Sequence, residues 1–392
     1  MAAHLWGPTI LLVTHTSVLA QAPIRWQLAE AVRVGNTANS PTFAGIWDVV
    51  VNARGEAFVL DGSDPFIKIV SRNGRVVRLM GRVGSGPGEF RQPTRLGWRG
   101  DTLWVIDPAL KRVTFFDDRG RALNTLQLSA KVYPPFVGTD VFAITRDGAI
   151  VVAASANLYE ERPFGFSPPT QIGAFVATRA GVITRSLVFF QRQHSSIRLS
   201  VLVNGTSGHF YLDQPFRDDP LFEAARDGSA VVIVNRLVGE TRVAPTFTVT
   251  KLSTMGDTIF SRNIAYSPRT LDNDTYSAVL ERIRHPPVRP GTSLDFDDGE
   301  LRQSINRPKV LPPVDAVILS KDGRTWLRRE TTSASPRVEY LILGPTGLPE
   351  AVVAIPSNER VVEADGKTAW TITRDADDVP ILSVYRILRG IR

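Results

Sequence analysis

Apolar and polar residues alternate in short runs along this chain, and most runs end at a glycine-containing turn. One stretch of this pattern occurs twice: residues 58–75, FVLDGSDPFIKIVSRNGR, correspond to residues 104–121, WVIDPALKRVTFFDDRGR. Asp61 corresponds to Asp107 and Gly74 to Gly120, each at an offset of 46 residues. Because alternation with a period of two is typical of β-strands, the repeat predicts an all-β fold built from similar units.

Glycine turns divide the chain into six such units. The first turn of each unit is expected at Arg54-Gly55, Arg99-Gly100, Asp147-Gly148, Asp227-Gly228, Asp322-Gly323 and Asp365-Gly366. A second hairpin is expected in five of them, where glycine supplies the positive φ of a tight turn, at Asn73-Gly74, Arg119-Gly120, Ala180-Gly181, Met255-Gly256 and Thr346-Gly347. Units of this length predict the four-stranded blades of a six-bladed β-propeller, occupying residues 21–392 as one domain.

The sixth unit lacks its second glycine hairpin and has too few strands for a complete blade. The run Trp26–Val34 near the N-terminus is expected to supply the missing strand. A strand from the opposite end of the chain would close the ring and cover an otherwise open sheet edge.

Two segments interrupt the regular spacing of the units. Residues 187–220 contain the apolar run Phe210-Tyr211-Leu212, which suits a short strand or a lip over the channel. Residues 267–313 form an insertion between the fourth and fifth blades, with helices expected over Leu271–Ile283 and Glu300–Ile305. Long connections on a rigid scaffold often carry binding sites, although a plain connector explains these segments equally well.

The second unit and the linker before it resemble NHL-type six-bladed propellers. The linker GSGPGEF at residues 84–90 and the run Trp104–Phe116 match the pattern of that family. The resemblance implies a fold-holding role for a set of positions in the first two units, namely Asp61, Gly74, Gly88, Phe90, Pro93, Asp107, Arg112 and Gly120. Phe66 stands where the first unit would need an arginine, so the family's Asp/Arg pair is not expected there.

Acidic residues fall near the same end of several innermost strands, which line the channel of a propeller. Asp140 and Asp315 each lie eight residues before the turn glycine of their unit. The full set of candidates for binding at the channel mouth is Asp48, Arg95, Asp140, Glu223, Asp315 and Glu363. These acids could cap strand ends and pair with arginines, or they could bind Ca²⁺, for which Asp140 and Asp315 are the candidate ligands.

Other chemistry is poorly represented in the sequence. The chain has no cysteine, and His194, His209 and His285 have no metal-binding spacing. GSGPGEF lacks the Gly-Lys-Ser/Thr ending of a phosphate-binding loop, and no Gly-x-Ser-x-Gly motif is present. Four tryptophans on or beside strands are expected to pack in the core, namely Trp47, Trp104, Trp326 and Trp370. No cofactor is therefore expected, apart from the Ca²⁺ alternative.

The net charge of +7 is spread thinly, with no run of basic residues that would mark a nucleic-acid surface. No apolar stretch after the N-terminus approaches the length of a transmembrane segment. A monomer is expected. Residues 1–20 resemble a signal peptide with cleavage after Ala20, although their first residues lack a positive charge. The sequence thus predicts a periplasmic or extracellular protein; RNA binding would require that this segment is not a signal.

These features favour a non-catalytic binding or scaffold propeller for an unidentified protein or small-molecule ligand, held at the channel mouth or under the 267–313 insertion. The alternative is a Ca²⁺-dependent hydrolase of the lactonase type, or a lyase, that uses the acidic channel residues. Thermal stabilisation by Ca²⁺ would separate the two hypotheses.

Overall fold

The fold is taken from a computed structural model of the chain. The structure describes residues 23–35, 42–64, 66–129, 140–155, 171–191, 196–236, 245–286 and 293–389. The all-β prediction is confirmed: short antiparallel strands dominate these ranges, and two helices lie in the 267–313 insertion.

Strand β1 (Ile24–Val34) is followed by three four-stranded meanders in which each strand pairs with its neighbours in the chain. Sheet 1 contains β2 (Ile46–Val51), β3 (Ala57–Asp61), β4 (Ile67–Val70) and β5 (Val76–Met80). Sheet 2 contains β6 (Arg95–Arg99), β7 (Thr102–Asp107), β8 (Arg112–Phe116) and β9 (Ala122–Gln127). Sheet 3 contains β10 (Asp140–Ile144), β11 (Ile150–Ser155), β12 (Gln171–Ala177) and β13 (Ile183–Gln191).

The second half of the chain repeats this arrangement, with additional elements between the sheets. Strands β14 (Ser196–Val203) and β15 (Thr206–Asp213) precede sheet 4, which contains β16 (Leu221–Ala224), β17 (Ala230–Asn235), β18 (Thr246–Ser253) and β19 (Thr258–Ala265). Next come α1 (Asn273–Arg284), β20 (Leu294–Phe296) and α2 (Asp298–Ser304). Sheet 5 contains β21 (Val314–Leu319), β22 (Thr325–Arg329), β23 (Arg337–Leu343) and β24 (Pro349–Pro356), and sheet 6 begins with β25 (Arg360–Ala364), β26 (Thr368–Arg374) and β27 (Pro380–Arg389).

The predicted hairpins are confirmed. Each of the five second-hairpin glycines joins the third and fourth strands of its sheet and has positive φ. In sheet 6 the third and fourth strands, β27 and β1, come from opposite ends of the chain and no hairpin joins them. The turn between its second and third strands has no glycine, and Asp378 adopts the left-handed conformation there, with φ 61°. Asparagine and aspartate tolerate this region better than other residues with a side chain, so the turn forms without glycine.

Strand β1 completes sheet 6, as the sequence predicts. It pairs antiparallel with β27 from Trp26 opposite Arg389 to Val34 opposite Leu382. Ile24 and Arg25 also pair in parallel with β24, so the closing strand joins sheet 6 to sheet 5. The hydroxyl of Tyr385 donates to Glu359 at 2.9 Å and to Glu30 of β1 at 3.3 Å, which fixes β1 on the sheet.

The first strands of the six sheets contact one another in cyclic order. Strand β2 contacts β6, and β6 contacts β10. The order of contacts continues from β10 to β16, β21 and β25, and β25 contacts β2. The turns that follow these strands also lie together: a Cβ on Gly228 would be 2.2 Å from the carbonyl oxygen of Ile144, and Lys321 donates to the carbonyl of Asn52 at 3.3 Å. We call this side the turn face, because its connections contain at most five residues.

The opposite side, the long-connection face, carries both insertions. They do not stay apart, because β20 of the second insertion pairs with β14 of the first and forms the sheet β15-β14-β20. Phe210-Tyr211-Leu212 lies within β15, a longer strand than expected. Leu199 of this sheet is buried with Leu280 of α1 and Leu301 of α2. The two insertions therefore form one unit with its own core, which we call the cap.

Three of the four tryptophans pack in the core as expected. Trp104, Trp326 and Trp370 are buried. Trp47 is not, since 49% of its surface is exposed. It lies at the irregularity in the pairing of β2 with β3 and against Gly62, and such a bulge turns a side chain away from the regular sheet face. The prediction that Trp47 belongs to the core is wrong for this reason.

Candidate functional site

The predicted channel-mouth residues do not form one group. Asp48, Arg95, Glu223 and Glu363 lie on the first strands of sheets 1, 2, 4 and 6 and gather around Arg226, which follows β16. Asp315 belongs to a second group on sheet 5. We call the group around Arg226 the central cluster.

Arg226 spans the interior from sheet 4 to sheet 1. Its Nη1 donates to Oδ2 of Asp48 at 3.0 Å, and its Nη2 donates to Oδ1 at 2.8 Å. This bidentate pair is nearly buried, and Asp48 also accepts the Leu96 backbone N–H at 2.8 Å. Because two parallel charge-assisted hydrogen bonds join the guanidinium to the carboxylate, the pair is strong and geometrically specific.

The backbone of Arg226 makes a further link between sheets. Its carbonyl accepts the N–H of Trp98 in β6 at 3.0 Å. Gly97 permits this approach, since a Cβ at that position would be 2.4 Å from the same carbonyl oxygen. A single residue, Arg226, thus joins sheets 1, 2 and 4 at the end of the first strands nearest the turn face.

Arg95 and Glu223 form a second ion pair in the central cluster. Both side chains are largely buried, and the Arg95 guanidinium lies 4.9 Å from the centre of the Phe142 ring. Burial, followed by repulsion from Arg226, lowers the pKa of Arg95, while the nearby carboxylates oppose this effect. The cation is therefore held by its acid partner and an aromatic face.

Glu363 is the one predicted acid of this cluster without an arginine partner recorded in the described residues. Burial raises its pKa to about 8, although Arg226 works in the opposite direction. Near neutral pH Glu363 is therefore mostly protonated, which leaves Asp48 and Glu223 to balance Arg95 and Arg226. The two carboxylates and two guanidinium groups of the central cluster balance in charge, so the cluster has no excess negative charge to attract a cation.

Asp315 lies in a separate group on sheet 5. It accepts a hydrogen bond from Arg328 of β22 at 2.8 Å, and Arg236 lies close enough to affect its ionisation. Burial raises the pKa of Asp315 to about 6 and, together with repulsion from Asp315, that of Glu330 to about 7. Arg236 itself donates to the carbonyls of Asp219 and Val314 at 2.7 and 2.6 Å.

Of the two proposed calcium ligands, only Asp315 has a described side chain. Asp140 begins β10, but its side chain lies outside the described residues. Within those residues no group of three or more acidic or histidine side chains is placed to hold a metal ion. Asp315 forms an ion pair with Arg328.

The positions to which the sequence resemblance assigned a fold-holding role make contacts between connections and strands. The buried Asp107 accepts backbone N–H groups of Arg91 at 2.7 Å and Leu110 at 3.1 Å. Arg112 donates to the carbonyls of Ser85 at 2.8 Å and Gly86 at 2.9 Å, which folds the glycine-rich linker against β8. Other members of this set are buried or have positive φ, namely Phe90 and Pro93, and Gly74, Gly88 and Gly120.

Asp61 makes an ion pair that the sequence comparison did not predict. Lys68, two residues after Phe66, pairs with the fully buried Asp61. Asp61 also accepts the N–H groups of Ala44 at 2.9 Å and Gly45 at 2.8 Å. The first unit therefore has no Asp/Arg pair in the described residues, as expected from Phe66, but a lysine from a shifted position supplies a charge to Asp61 that the sequence resemblance did not predict.

Sequence reasoning also missed Arg226, Arg236, Arg328 and Glu330. Arg226 directly precedes the Asp227-Gly228 turn, and its place beside a turn hid its interior role. Arg328 and Glu330 are two positions apart at the end of β22, and this spacing could have indicated that they lie on the same face of the sheet.

Comparisons with known proteins find solved structures of low sequence identity. No family model and no curated protein matches the chain. A solved structure of a candidate exported protein from Bacteroides fragilis is 10% identical with a TM-score of 0.46, over 95% of this chain and 98% of that one. A DUF4221-family member from Bacteroides vulgatus is 8% identical with a TM-score of 0.48, over 94% of this chain and 100% of that one. Similarities this distant do not identify a function. None of the helices in the described residues is both long and apolar enough to cross a lipid bilayer.

Proposed function

We propose that the chain is a six-bladed, NHL-like β-propeller of the cell envelope or exterior that binds a ligand without transforming it. The six-bladed arrangement is supported by six four-stranded units whose first strands contact one another in cyclic order. The parallel pairing of β1 with β24 and its antiparallel pairing with β27 provide the closure that such a ring requires.

The pairing within the central cluster carries the non-catalytic part of the proposal. Asp48 and Glu223 are held by Arg226 and Arg95, and Glu363 keeps a proton near neutral pH. A hydrolytic Ca²⁺ site needs several ionised oxygen ligands that point at one ion. Carboxylates committed to buried guanidinium groups meet this need poorly, because removing either partner leaves an unpaired buried charge.

The long-connection face is the proposed binding face. The turn face has only short connections, and Arg226 links three sheets at that end of the first strands. The opposite face carries the cap, whose core is separate from the cores between the sheets. Long connections on a rigid scaffold are where binding residues concentrate. Placement outside the cytoplasm is proposed from the N-terminal sequence, which resembles a signal peptide.

A thermal-shift experiment with divalent metals tests the proposal. The protein is first treated with a chelator and then melted with Ca²⁺, Mg²⁺, Mn²⁺ or Zn²⁺, beside the variants Asp315→Asn and Asp48→Asn. The proposal predicts no metal-dependent rise in Tm for the unaltered protein. A rise with Ca²⁺ that disappears in Asp315→Asn would overturn it in favour of the metal-dependent hydrolase.

A further inference from the structure

A recess of about 300 Å³ lies on the long-connection face, where the cap joins sheets 4 and 5. The two segments that connect the cap to these sheets run side by side and form a neck. Leu271 donates its N–H to the carbonyl of Lys309 at 3.2 Å, and Leu311 donates to the carbonyl of Arg269 at 2.8 Å. The neck is therefore hydrogen-bonded and holds one wall of the recess in place.

The recess has a mixed polar and apolar lining, and part of it is apolar. Phe247 of sheet 4, Leu341 of sheet 5 and Leu311 of the neck contribute to it, and all three are well buried. Tyr266 lines the same recess and packs edge-on against Phe247, with ring centres 5.9 Å apart. A volume of about 300 Å³ is at the lower end for small-molecule pockets, so a compact ligand with an apolar group fits best.

Two charged residues of opposite sign remain available at the recess. The Glu330 carboxylate accepts the backbone N–H of Thr331, but no side chain of the described residues is recorded as donating to it, because Arg328 is occupied by Asp315 and Arg236 donates to backbone carbonyls. Arg269 is exposed and donates once, to the carbonyl of Glu330, at 3.1 Å. The other guanidinium of the recess, that of Arg329, is already paired with Glu339 at 2.9 Å.

This combination of charges discriminates between ligand classes. A purely cationic ligand would be attracted by Glu330 but repelled by Arg269. A purely anionic ligand would be attracted by Arg269 but repelled by Glu330. A zwitterion satisfies both, because an ammonium group can pair with Glu330 and a carboxylate with Arg269. The apolar part of the lining then contacts the side chain of the ligand.

We propose that the neck recess binds a small zwitterion, specifically an α-amino acid with an apolar side chain. The inference rests on the proposed binding function and gives it a ligand class. Glu330 holds the ammonium group, Arg269 holds the carboxylate, and the side chain lies against the apolar part of the lining, which includes Phe247, Tyr266 and Leu341.

Three matched ligands test this proposal by isothermal titration calorimetry on the full chain: L-phenylalanine, 2-phenylethylamine and 3-phenylpropionate. They share the phenyl group but carry both charges, only the positive charge or only the negative charge. The titrations are made at pH 8, above the pKa of about 7 of Glu330, so that its carboxylate is charged. We expect L-phenylalanine to bind at least about tenfold more tightly than either single-charge ligand, because each charge pair adds a favourable interaction.

Variants assign the two contacts. Glu330→Gln should weaken L-phenylalanine and 2-phenylethylamine about tenfold and leave 3-phenylpropionate unchanged, whereas Arg269→Gln should weaken L-phenylalanine and 3-phenylpropionate only. Arg262→Gln is the control, since Arg262 is an exposed arginine of β19 that does not line the recess. Melting curves establish that each variant is folded.

The proposal is overturned if none of the three compounds binds, or if all bind equally and neither variant changes the affinity. Either result leaves the metal experiment to decide the broader function independently. A Ca²⁺ requirement would overturn the binding-module proposal even if the recess were occupied by an amino acid.

Discussion

Replacing Glu363 by glutamine should stabilise the protein at neutral and alkaline pH. The glutamine amide has the same shape, and its oxygen can keep the 3.0 Å hydrogen bond from the Ala364 N–H. It differs in having no proton to lose. Burial raises the pKa of Glu363 from 4.5 to about 8, so the folded state retains a proton that the unfolded chain releases between these values.

The sign and size of the effect follow from linkage. Because the unfolded state binds fewer protons than the folded state in this window, stability falls as the pH rises from about 4.5 to 8 and changes no further above it. At 1.36 kcal/mol per pKa unit the full effect is about 5 kcal/mol, of which about 3 kcal/mol is present at pH 7. Glu363→Gln should remove this loss.

Urea unfolding at pH 5, 7 and 9, at constant ionic strength, measures the effect. The difference in unfolding free energy between Glu363→Gln and the unaltered protein should be small at pH 5 and should grow to several kcal/mol at pH 9. Asp101→Asn, at an exposed turn residue, is the control for the loss of one carboxylate. A difference for Glu363→Gln that stays constant from pH 5 to 9 would refute a raised pKa at this position.

Two other substitutions test contacts that hold the sheets. Lys68→Met should lower the unfolding free energy by about 2–3 kcal/mol, because the buried Asp61 loses its cation but keeps its backbone donors; an unchanged urea midpoint would contradict this role. Tyr385→Phe should cost about 1–3 kcal/mol by removing the hydroxyl that donates to Glu359 and Glu30. It should also increase hydrogen exchange in β1, and exchange that rises uniformly over the chain instead would argue against a local lock.

Local sequence features predicted the repeating framework well. The glycine hairpins and the two helices depend on turn chemistry and periodicity within a few residues, and the structure contains all of them. The closing strand was predicted by counting strands, because the sixth unit is one strand short. Asp272 and Asp297 accept hydrogen bonds from the first turns of α1 and α2, which explains why the helices begin there.

Features that depend on distant contacts could not be predicted in the same way. The cap requires β14 to pair with β20, which lies some ninety residues further along the chain with sheet 4 between them. The acids of the first strands share a sequence position, but arginines from a turn and a second strand separate them into two groups. Period-two alternation also fails at the irregularity beside Trp47, where the side chain is exposed.

A double-mutant cycle on Asp48 and Arg226 tests most directly whether the central charges serve to hold the sheets together. Asp48→Asn, Arg226→Met and the double variant are compared with the unaltered protein by urea unfolding at pH 7. The bidentate geometry, at 2.8 and 3.0 Å, predicts a coupling free energy of about 2–3 kcal/mol, with the double variant losing less stability than the two single variants together. A coupling near zero would contradict the account, because the two side chains would then be independent and Asp48 would be free for other chemistry.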